Sequence, residues 1–254
     1  MTRQMIRSGI LLISLLCFPV TLFYISPYLA VDAAMVGLVS GSVLLYAVQF
    51  AGAVFVGRAF CGWIMPCGGL QEACFSANRG PAKGGRRNWI KWFVWGPLLA
   101  AIVLMLVRAG GVLGVDPLRQ TRGGISVMDP VGYMFFYAVV GTITVMALVF
   151  GRRAFCHYFC FMAPFMILGR KLRNALRLPA LQLAATGGAC VDCKRCTAVC
   201  PMSLDVPAMV RSGRPESAEC ILCGNCADAC PNEAVRLGFG RAATQVEAPT
   251  AKQA

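Results

Sequence analysis

The chain has 254 residues, of which 57% are hydrophobic and 14% charged, and its formal net charge is +13. This composition argues against an ordinary soluble globule. The basic residues flank long apolar runs, with six between 58 and 91 and six between 152 and 177, and they form no basic face with interleaved aromatics. Nucleic acid is therefore not an expected partner, and the charge pattern instead indicates the positive-inside bias of a membrane protein.

Residues 1–178 are predicted to form an all-α membrane domain of four transmembrane helices. Each of four apolar segments reaches the roughly 20 residues that a bilayer core requires, and the first two contain no charged side chain. The predicted spans are residues 8–30, 33–57, 92–113 and 131–151. Pro19 and Pro27 predict kinks in the first span. A cleaved signal peptide is the alternative for that segment, but Leu15 and Leu16 are too bulky for a cleavage site before Cys17.

The Lys and Arg residues of the loops set the predicted orientation. The N-terminus, the second loop and the segment after the fourth span are basic, whereas the turn near Asp32 has no Lys or Arg and the third loop mixes arginine with aspartate. We therefore expect both termini in the cytoplasm and the chain in a bacterial inner membrane. The glycine-rich basic stretch at residues 80–87 is expected to contact lipid headgroups.

After the fourth span, the motif Arg-Ala-Phe-Cys ends at Cys156, and after the second span the same motif ends at Cys61. This repetition indicates a duplicated two-helix unit with a cysteine site at one membrane edge. The candidate residues for a redox pair or an additional metal are Cys61, Cys67, Cys156 and Cys160, with His157 as a candidate ligand or proton carrier. Soft thiolates and the thioether of Met65 suit Cu(I) or iron. Cysteines that simply pack, and an ordinary interfacial histidine, are the alternatives.

Past residue 178 the hydrophobicity falls, and the motif Cys-x2-Cys-x2-Cys-x3-Cys-Pro begins at Cys190 and again at Cys220. Three closely spaced thiolates can bind one iron–sulfur cube while the fourth cysteine reaches the other cluster. The predicted ligand sets of two [4Fe-4S] clusters are Cys190, Cys193, Cys196 and Cys230 for one and Cys220, Cys223, Cys226 and Cys200 for the other. Zinc also takes four thiolates, but it rarely uses three cysteines so close together followed by Cys-Pro, twice.

This arrangement resembles the bacterial two-cluster ferredoxins over about residues 187–240, with all eight ligand positions filled. The resemblance implies a small cytoplasmic α+β ferredoxin-like domain in which two close clusters relay single electrons. Gly224 suits the positive φ that the turn requires, whereas Lys194 stands at the equivalent place in the first motif. The polar, alanine-rich residues 242–254 are expected to be disordered.

Over about residues 1–240 the chain resembles the membrane-bound polyferredoxins typified by the NapH quinol dehydrogenase component of periplasmic nitrate reductase systems, with the related MauN, NosR and CcoG proteins. Those proteins have two Cys-x3-Cys-Pro motifs at the membrane edge, and here Met65 and Phe161 depart from that pattern. The resemblance implies quinol oxidation that feeds a periplasmic redox enzyme. The expected partners are thus membrane lipid, the quinone pool and a periplasmic or membrane redox protein.

The sequence contains no constellation of hydrolase type, so a redox subunit is expected rather than a free-standing enzyme. The alternative function is a copper-reducing maturation factor of CcoG type, in which electrons reduce a metal for the assembly of another enzyme. Quinone and an additional metal are thus candidate cofactors beside the two clusters.

Overall fold

A computed structural model describes residues 2–213 and 216–240, and helices dominate this part of the chain. The helices of the N-terminal module are α1 (Arg3–Leu16), α2 (Phe18–Ile25), α3 (Pro27–Met35), α4 (Gly41–Val56), α5 (Ala59–Trp63), α6 (Pro66–Ala73), α7 (Ile90–Arg108), α8 (Pro130–Phe150), α9 (Ala154–Tyr158) and α10 (Ala163–Leu176). The C-terminal module contains α11 (Arg195–Ala198), α12 (Val206–Arg211) and α13 (Asn225–Asp228). The strands are β1 (Leu38–Ser40), β2 (Gly114–Asp116), β3 (Ala180–Ala185) and β4 (Val235–Gly240). The tail predicted at 242–254 lies outside the described residues.

Two helical segments are long and apolar enough to cross a membrane, and they correspond to the third and fourth predicted spans. They are Gly85–Arg108, with 24 residues, and Pro130–Phe150, with 21. The second of these begins after Asp129, whose carboxylate accepts a hydrogen bond from the backbone N–H of Gly132. It ends at Gly151, which adopts a φ of +94° and so stops the helix where the edge motif must turn away.

The first predicted span, residues 8–30, is broken rather than continuous. Helices α1 and α2 meet at Cys17 with a bend of 81°, and a second break at Ser26 precedes α3. Pro19 and Pro27 lie in the first turns of α2 and α3. Proline is favoured there because its missing N–H has no intrahelical partner. The bent pair is therefore either one broken span or a re-entrant segment.

The second predicted span, residues 33–57, is shorter than expected. The residues at its start form the end of α3, and strand β1 follows them. Only the 16 residues of α4 form an apolar helix. At 1.5 Å per residue this helix is about 24 Å long, whereas the hydrocarbon core is about 30 Å thick. By length and composition, the described residues provide two spanning helices, or three if the bent pair counts as one span. The prediction of four spans is not confirmed.

The loops of the N-terminal module lie at two ends of the molecule. At one end, Gln4, Arg58 and Arg152 donate hydrogen bonds to the C-terminal module. At the other end, Arg119 of the third loop forms an ion pair with Asp32, with an N···O distance of 2.8 Å. Strands β1 and β2 pair in parallel there. The basic N-terminus and second loop therefore share one end with the C-terminal module.

The C-terminal module is closed by an antiparallel pair of strands. β3 pairs with β4 from Ala180 opposite Gly240 to Ala185 opposite Val235. Strand β3 thus lies before residue 187, the predicted start of the ferredoxin-like domain. The prediction did not include this strand because cysteine spacing carries no information about a flanking strand. The domain limits themselves stay a prediction.

Candidate iron-sulfur centres

Eight cysteines of the C-terminal module line two separate cavities. The solvent-side site, as we call the first, is lined by Cys190, Cys193, Cys196 and Cys230. The membrane-side site is lined by Cys200, Cys220, Cys223 and Cys226. These are the two groups that the sequence assigns to the two clusters, each with three cysteines of one motif and the fourth of the other. Their role as ligands stays a prediction.

The two cysteine motifs adopt the same backbone conformation. Three pairs of residues, each separated by 30 positions, share a positive φ: Asp192 and Leu222 (52° and 50°), Lys194 and Gly224 (59° and 81°), and Ser203 and Glu233 (52° and 49°). Positive φ is uncommon outside glycine, so its recurrence at equivalent places shows that both loops turn in the same way. Gly224 meets the predicted requirement, and Lys194 adopts the same region despite its Cβ atom.

The arrangement of the thiols fits a cluster better than a single ion. A tetrahedral zinc ion, with Zn–S bonds of about 2.3 Å, requires sulfurs within about 4 Å of one another. Within residues 2–213 and 216–240, no three His, Cys, Asp or Glu side chains converge in a way that would hold one metal ion. The four thiols of each site instead line a cavity.

The two sites differ in their exposure to solvent. Cys193 of the solvent-side site is exposed and its three companions are half-buried, whereas all four cysteines of the membrane-side site are buried. The N-terminal module covers the membrane-side site closely. Gln4 Nε2 donates to the carbonyl of Cys223 at 3.1 Å, and Trp63 Nε1 donates to that of Leu222 at 3.1 Å. Beside them, a Cβ atom on Gly62 would lie 2.4 Å from the carbonyl oxygen of Ile221, so only glycine permits this approach.

Arginines of the N-terminal module surround the membrane-side site. Arg152 Nη1 donates to the carbonyls of Ala198 at 2.7 Å and Cys200 at 3.2 Å. Burial raises the pKa of Cys223 to about 11, and the charge of Arg7 opposes this rise. Burial likewise raises the pKa of Cys200, and hydrogen bonds from the backbone of Leu204 and Met202, and less strongly the charge of Arg152, oppose the rise.

Burial and hydrogen bonding also oppose one another at the solvent-side site. Burial also raises the pKa of Cys196, but the main opposing effects are hydrogen bonds from the backbone of Thr197 and of Cys196 itself. Burial is therefore the largest influence on the pKa of the shifted cysteines at both sites.

Two carboxylates, each shared by two cations, join the elements around the membrane-side site. Glu219, next to Cys220, lies 3.0 Å from Arg58 Nη1 and 2.5 Å from Lys91 Nζ, and both cations are fully buried. Burial by itself would raise the pKa of Glu219, but Arg58 and Lys91 outweigh it and lower that pKa below its usual value. Glu72 accepts hydrogen bonds from Arg7 and Arg153 in the same manner.

The sequence analysis assigned no role to these carboxylates, and it used the basic residues only to predict the orientation in the membrane. The sequence does contain one indication of these ion pairs. Only 11 acidic residues are present beside 24 basic ones, so each acidic residue is a candidate partner for a buried cation. Buried cations require such partners.

The duplicated edge motif folds in the same way twice. In each copy an arginine precedes a five-residue helix, α5 or α9. The shared feature after each helix is a pair of backbone N–H groups that donate to one carbonyl: Ile64 and Met65 to Phe60, and Phe159 and Cys160 to Phe155. Met65 is therefore the structural equivalent of Cys160.

The four candidate edge cysteines come together in the interior. Cys61, Cys67, Cys156 and Cys160 are all buried. Cys61 Sγ lies 3.8 Å from Met166 Sδ, and Gln71 Nε2 lies 3.2 Å from Cys156 Sγ. Burial raises the pKa of Cys160 to about 12, and the thiols of Cys156 and Cys61 add to the rise. Thiols from both copies of the motif therefore lie close enough to influence one another's ionisation.

His157 has hydrogen-bonding partners at both ring nitrogens. Nε2 lies 3.1 Å from the carbonyl oxygen of Met202, and Nδ1 lies 3.0 Å from the side-chain oxygen of Asn88. Burial lowers the pKa of His157 to about 4, so the ring is neutral at pH 7. Binding a metal or moving a proton would require one of these contacts to open.

An apolar cavity of about 300 Å³ lies between α2 and α8. Phe18 and Leu22 of α2 and Val139 of α8 line it, and Cys67 and Cys160 of the edge cluster also border it. The edge thiols are therefore adjacent to a space that suits an apolar molecule.

Comparison with protein families supports the iron–sulfur assignment. Residues 153–247 match the family model of the 4Fe-4S dicluster domain, and residues 36–82 match that of a 4Fe-4S binding domain. The iron–sulfur prediction made from the cysteine spacing is therefore confirmed. The second match includes the first edge motif.

The chain is also similar to three curated proteins. It is 31% identical to protein RdxA of Cereibacter sphaeroides over 61% of this chain and 33% of RdxA. It is 24% identical to the putative electron transport protein YccM of Escherichia coli over 68% of this chain and 49% of YccM. It is 34% identical to the nitrogen fixation protein FixG of Rhizobium meliloti over 41% of this chain and 22% of FixG. The matches thus span half or less of each relative, and no solved structure matches the chain.

Proposed function

We propose that this chain is an integral membrane protein that transfers single electrons through two [4Fe-4S] clusters. The observation that carries the proposal is the pair of cavities in the C-terminal module, each lined by four cysteines, together with two apolar helices of spanning length in the N-terminal module. The dicluster family match and the relative named as an electron transport protein support it. Bound clusters would supply one-electron chemistry, which needs no acid, base or nucleophile from the protein.

In this proposal, residues 1–178 anchor the protein and residues 187–240 hold the clusters. The four cysteines of each cavity are the ligands of one cluster. Gln4, Trp63 and Arg152 hold the backbone of the membrane-side site in place through hydrogen bonds to its carbonyls. The N-terminal module thereby orients this site toward the membrane edge.

We infer a location in the bacterial inner membrane with both termini in the cytoplasm. The support is the gathering of Arg58, Lys91, Arg152 and Arg153 at the end that contacts the C-terminal module. A basic end faces the cytoplasm under the positive-inside rule. The ion pair of Arg119 and Asp32 would then lie on the periplasmic side.

The chain is proposed to link the quinone pool or a cytoplasmic donor with a periplasmic redox enzyme, as in the NapH and MauN type of polyferredoxin. Both cysteine cavities lie at one end of the molecule, whereas the hydrocarbon core is about 30 Å thick, so a further carrier must complete the path. The apolar cavity bordered by Cys67 and Cys160 suits an isoprenoid quinone in this role. Reduction of the clusters by a quinol analogue would support it.

The test of the proposed function is metal analysis and EPR spectroscopy of anaerobically purified protein. Two cubes require about eight irons per chain, and dithionite should produce the signals of two interacting reduced clusters. Cys193→Ala and Cys223→Ala should each lose about half of the iron, whereas Cys74→Ala, outside both cavities, should keep it. Zinc, or no metal, in the purified wild-type protein would overturn the proposal.

A second candidate function is the reduction and binding of copper, as in the CcoG alternative. The observation that favours it is the burial of the four edge thiols, with Cys61 Sγ 3.8 Å from the thioether sulfur of Met166, since soft sulfur ligands select Cu(I). Reduced protein mixed with Cu(II) should then oxidise its clusters and retain Cu(I). Cys160→Ser should abolish retention, and Cys74→Ser should not.

A further inference from the structure

We propose that residues 191–195, which we call the exposed loop, form the docking surface for a small soluble one-electron carrier protein with an acidic surface. The exposed loop lies between Cys190 and Cys196, two of the cysteines that line the solvent-side site. The choice of an electron carrier as its occupant rests on the proposed function. The cysteine spacing by itself assigns no partner to this loop.

The equivalent loop of the second motif, residues 221–225, is already a docking surface within this chain. Trp63 and Gln4 of the N-terminal module donate hydrogen bonds to the carbonyls of Leu222 and Cys223. Four of the five residues of this loop are buried. The two loops also share a backbone conformation, because their positive φ values recur 30 residues apart. This conformation therefore suits a surface on which another protein module packs.

In the first motif the same surface is uncovered. All five residues of the exposed loop are exposed, and the apolar side chain of Val191 is 67% accessible. Within the described part of the chain, no hydrogen bond or ion pair joins the exposed loop to the N-terminal module, and the nearest such bond in sequence is that from Arg152 to the carbonyl of Ala198. The first motif thus leaves open to solvent the surface by which the second motif binds.

The charge of the exposed loop favours an acidic occupant. Lys194 and Arg195 form no ion pair with any described residue, whereas Asp192 pairs with Arg211 at an N···O distance of 2.9 Å. The loop and this arginine together carry three cations and one anion. Exposed charges of one sign raise the rate at which a partner of the opposite sign associates.

Packing of the two modules removes acidic charge from the rest of the C-terminal surface. Three carboxylates of the C-terminal module pair with cations of the N-terminal module: Glu216, Glu219 and Asp228. Elsewhere on this module, Glu233 pairs with Arg236, and Asp205 caps helix α12 by accepting a hydrogen bond from the backbone N–H of Ala208. The charges of Lys194 and Arg195 therefore remain unpaired at the exposed loop.

The backbone of Lys194 supports a role in recognition. Its φ is +59°, in a region that residues other than glycine rarely adopt. The equivalent residue is Gly224, where a Cβ atom would lie 2.8 Å from Arg3 Nη1, so glycine there accommodates the N-terminal module. Lys194 has no such neighbour to accommodate and no ion-pair partner in the described chain, so its charge is available to another molecule.

The electron transfer that this docking allows requires no bond or proton change. When the reduced carrier loses one electron and becomes oxidised, the cluster held by the solvent-side cysteines gains that electron and is reduced. In the opposite direction the two roles exchange. The exposed Cys193 lies within the loop, so a carrier bound there lies beside a proposed ligand of this cluster.

The test is the association of full-length, iron-loaded protein in detergent with immobilised flavodoxin, an acidic one-electron carrier, measured by biolayer interferometry. Cytochrome c, a basic carrier, is the comparison and should associate more slowly. The rate with flavodoxin should fall as salt is added, because salt screens exposed charges. The rate of electron exchange with flavodoxin, followed by the absorbance of its flavin, should rank the protein variants in the same order as their association rates.

The double variant Lys194→Glu/Arg195→Glu should slow association with flavodoxin by at least about tenfold, the lower end of the range for electrostatic steering. Lys194→Arg, which keeps the charge, should associate at the wild-type rate. Lys171→Glu, at an exposed position of α10, is the matched control and should also keep that rate. If the double variant loses its iron, Lys194→Gln and Arg195→Gln replace it, and each should slow association.

Three results would overturn the inference: equal rates for the wild type and the charge variants, a rate that does not depend on salt, or an equal slowing by Lys171→Glu. Nanodiscs with anionic lipid test whether the exposed loop binds headgroups instead, because such lipid would then abolish association with flavodoxin and contradict the inference. Wild-type protein without iron would contradict the proposed function, whereas iron-loaded protein that does not associate would contradict only the docking surface.

Discussion

Arg58 and Arg153 occupy equivalent positions in the two copies of the edge motif, and both are fully buried, but they serve different contacts. Arg58 reaches Glu219 and the carbonyl of Ala218 in the C-terminal module. Arg153 reaches Glu72 and the carbonyl of Cys61, and so joins the second copy of the motif to the first. One copy therefore docks the cysteine module, and the other holds the duplicated unit together.

Replacing Arg58 by methionine should destabilise the protein by roughly 3 kcal/mol, the lower end of the range for breaking a buried ion pair. The lower end is expected because Lys91 remains beside Glu219. Thermal unfolding in detergent measures the change, and limited proteolysis near residue 178 should become faster as the C-terminal module loosens. Arg108→Met, at an exposed position, is the matched control. An unchanged melting temperature in Arg58→Met would contradict the docking role.

The interleaving of the ligands predicts a crossed pattern of cluster loss. Cys230→Ala should remove the solvent-side cluster although Cys230 belongs to the second motif, and Cys200→Ala should remove the membrane-side cluster. This follows because each cavity includes the fourth cysteine of the other motif. Iron content should fall from about eight to about four in both variants, and EPR identifies the cluster that remains. Loss of the membrane-side signal in Cys230→Ala would refute the assignment.

Restoring a thiol at position 65 should strengthen metal binding at the edge cluster. Met65 is equivalent to Cys160 in the folded motif. The Met65→Cys substitution therefore replaces a thioether by a thiolate, which binds Cu(I) more tightly. Affinity for Cu(I), measured by competition with a chromogenic chelator, should rise at least about tenfold, the size of effect common for changes around a metal site. Cys17→Ser, at an exposed position, should have no effect. Equal affinities in wild-type and Met65→Cys protein would show that this position faces no metal.

The ion pair of Glu216 with Arg170 predicts a pH-dependent part of the stability. Burial alone would raise the pKa of Glu216, but Arg170 and Asn174 outweigh it and lower that pKa below 4.5. A carboxylate whose pKa is lower in the folded state than in the unfolded state stabilises the fold at any pH above its unfolded-state pKa. This stabilisation is lost as the pH falls through the folded-state pKa. Wild-type protein should therefore exceed Glu216→Gln in stability by about 1 kcal/mol at pH 7, and urea unfolding should show the difference shrinking below pH 4.5. A constant difference at all pH values would rule out this ionic contribution.

The orientation can be tested with reporter fusions. Alkaline phosphatase inserted at Gly123, in the third loop, should be active because the loop is expected in the periplasm, whereas a fusion after residue 240 should be inactive. A fluorescent protein that matures only in the cytoplasm should give the reverse pattern at the same sites. Active phosphatase at the C-terminal position would invert the proposed topology.

The three neighbouring cysteines of each group could be read from the chain because their spacing is local. Two residues between successive thiols restrict where the sulfurs can lie whatever the rest of the fold does, and the cavities contain the same groups. Helix α8 could also be predicted, since an apolar run bounded by Asp129 and Gly151 determines its own ends. The first two spans were less predictable, because the sharp break at Cys17 has no signal beyond two prolines.

By itself the sequence determined the chemistry of this protein: thiol spacing and apolar length are properties of neighbouring residues, and they specify iron–sulfur sites beside a module of long apolar helices. Only the tertiary structure decided which charges surround each site. Arg7, Glu72 and Arg153, or Arg58, Lys91 and Glu219, are far apart along the chain, and an ion pair depends on the docking of whole elements. The difference between an exposed and a cation-lined cysteine site therefore emerges only when the modules pack together.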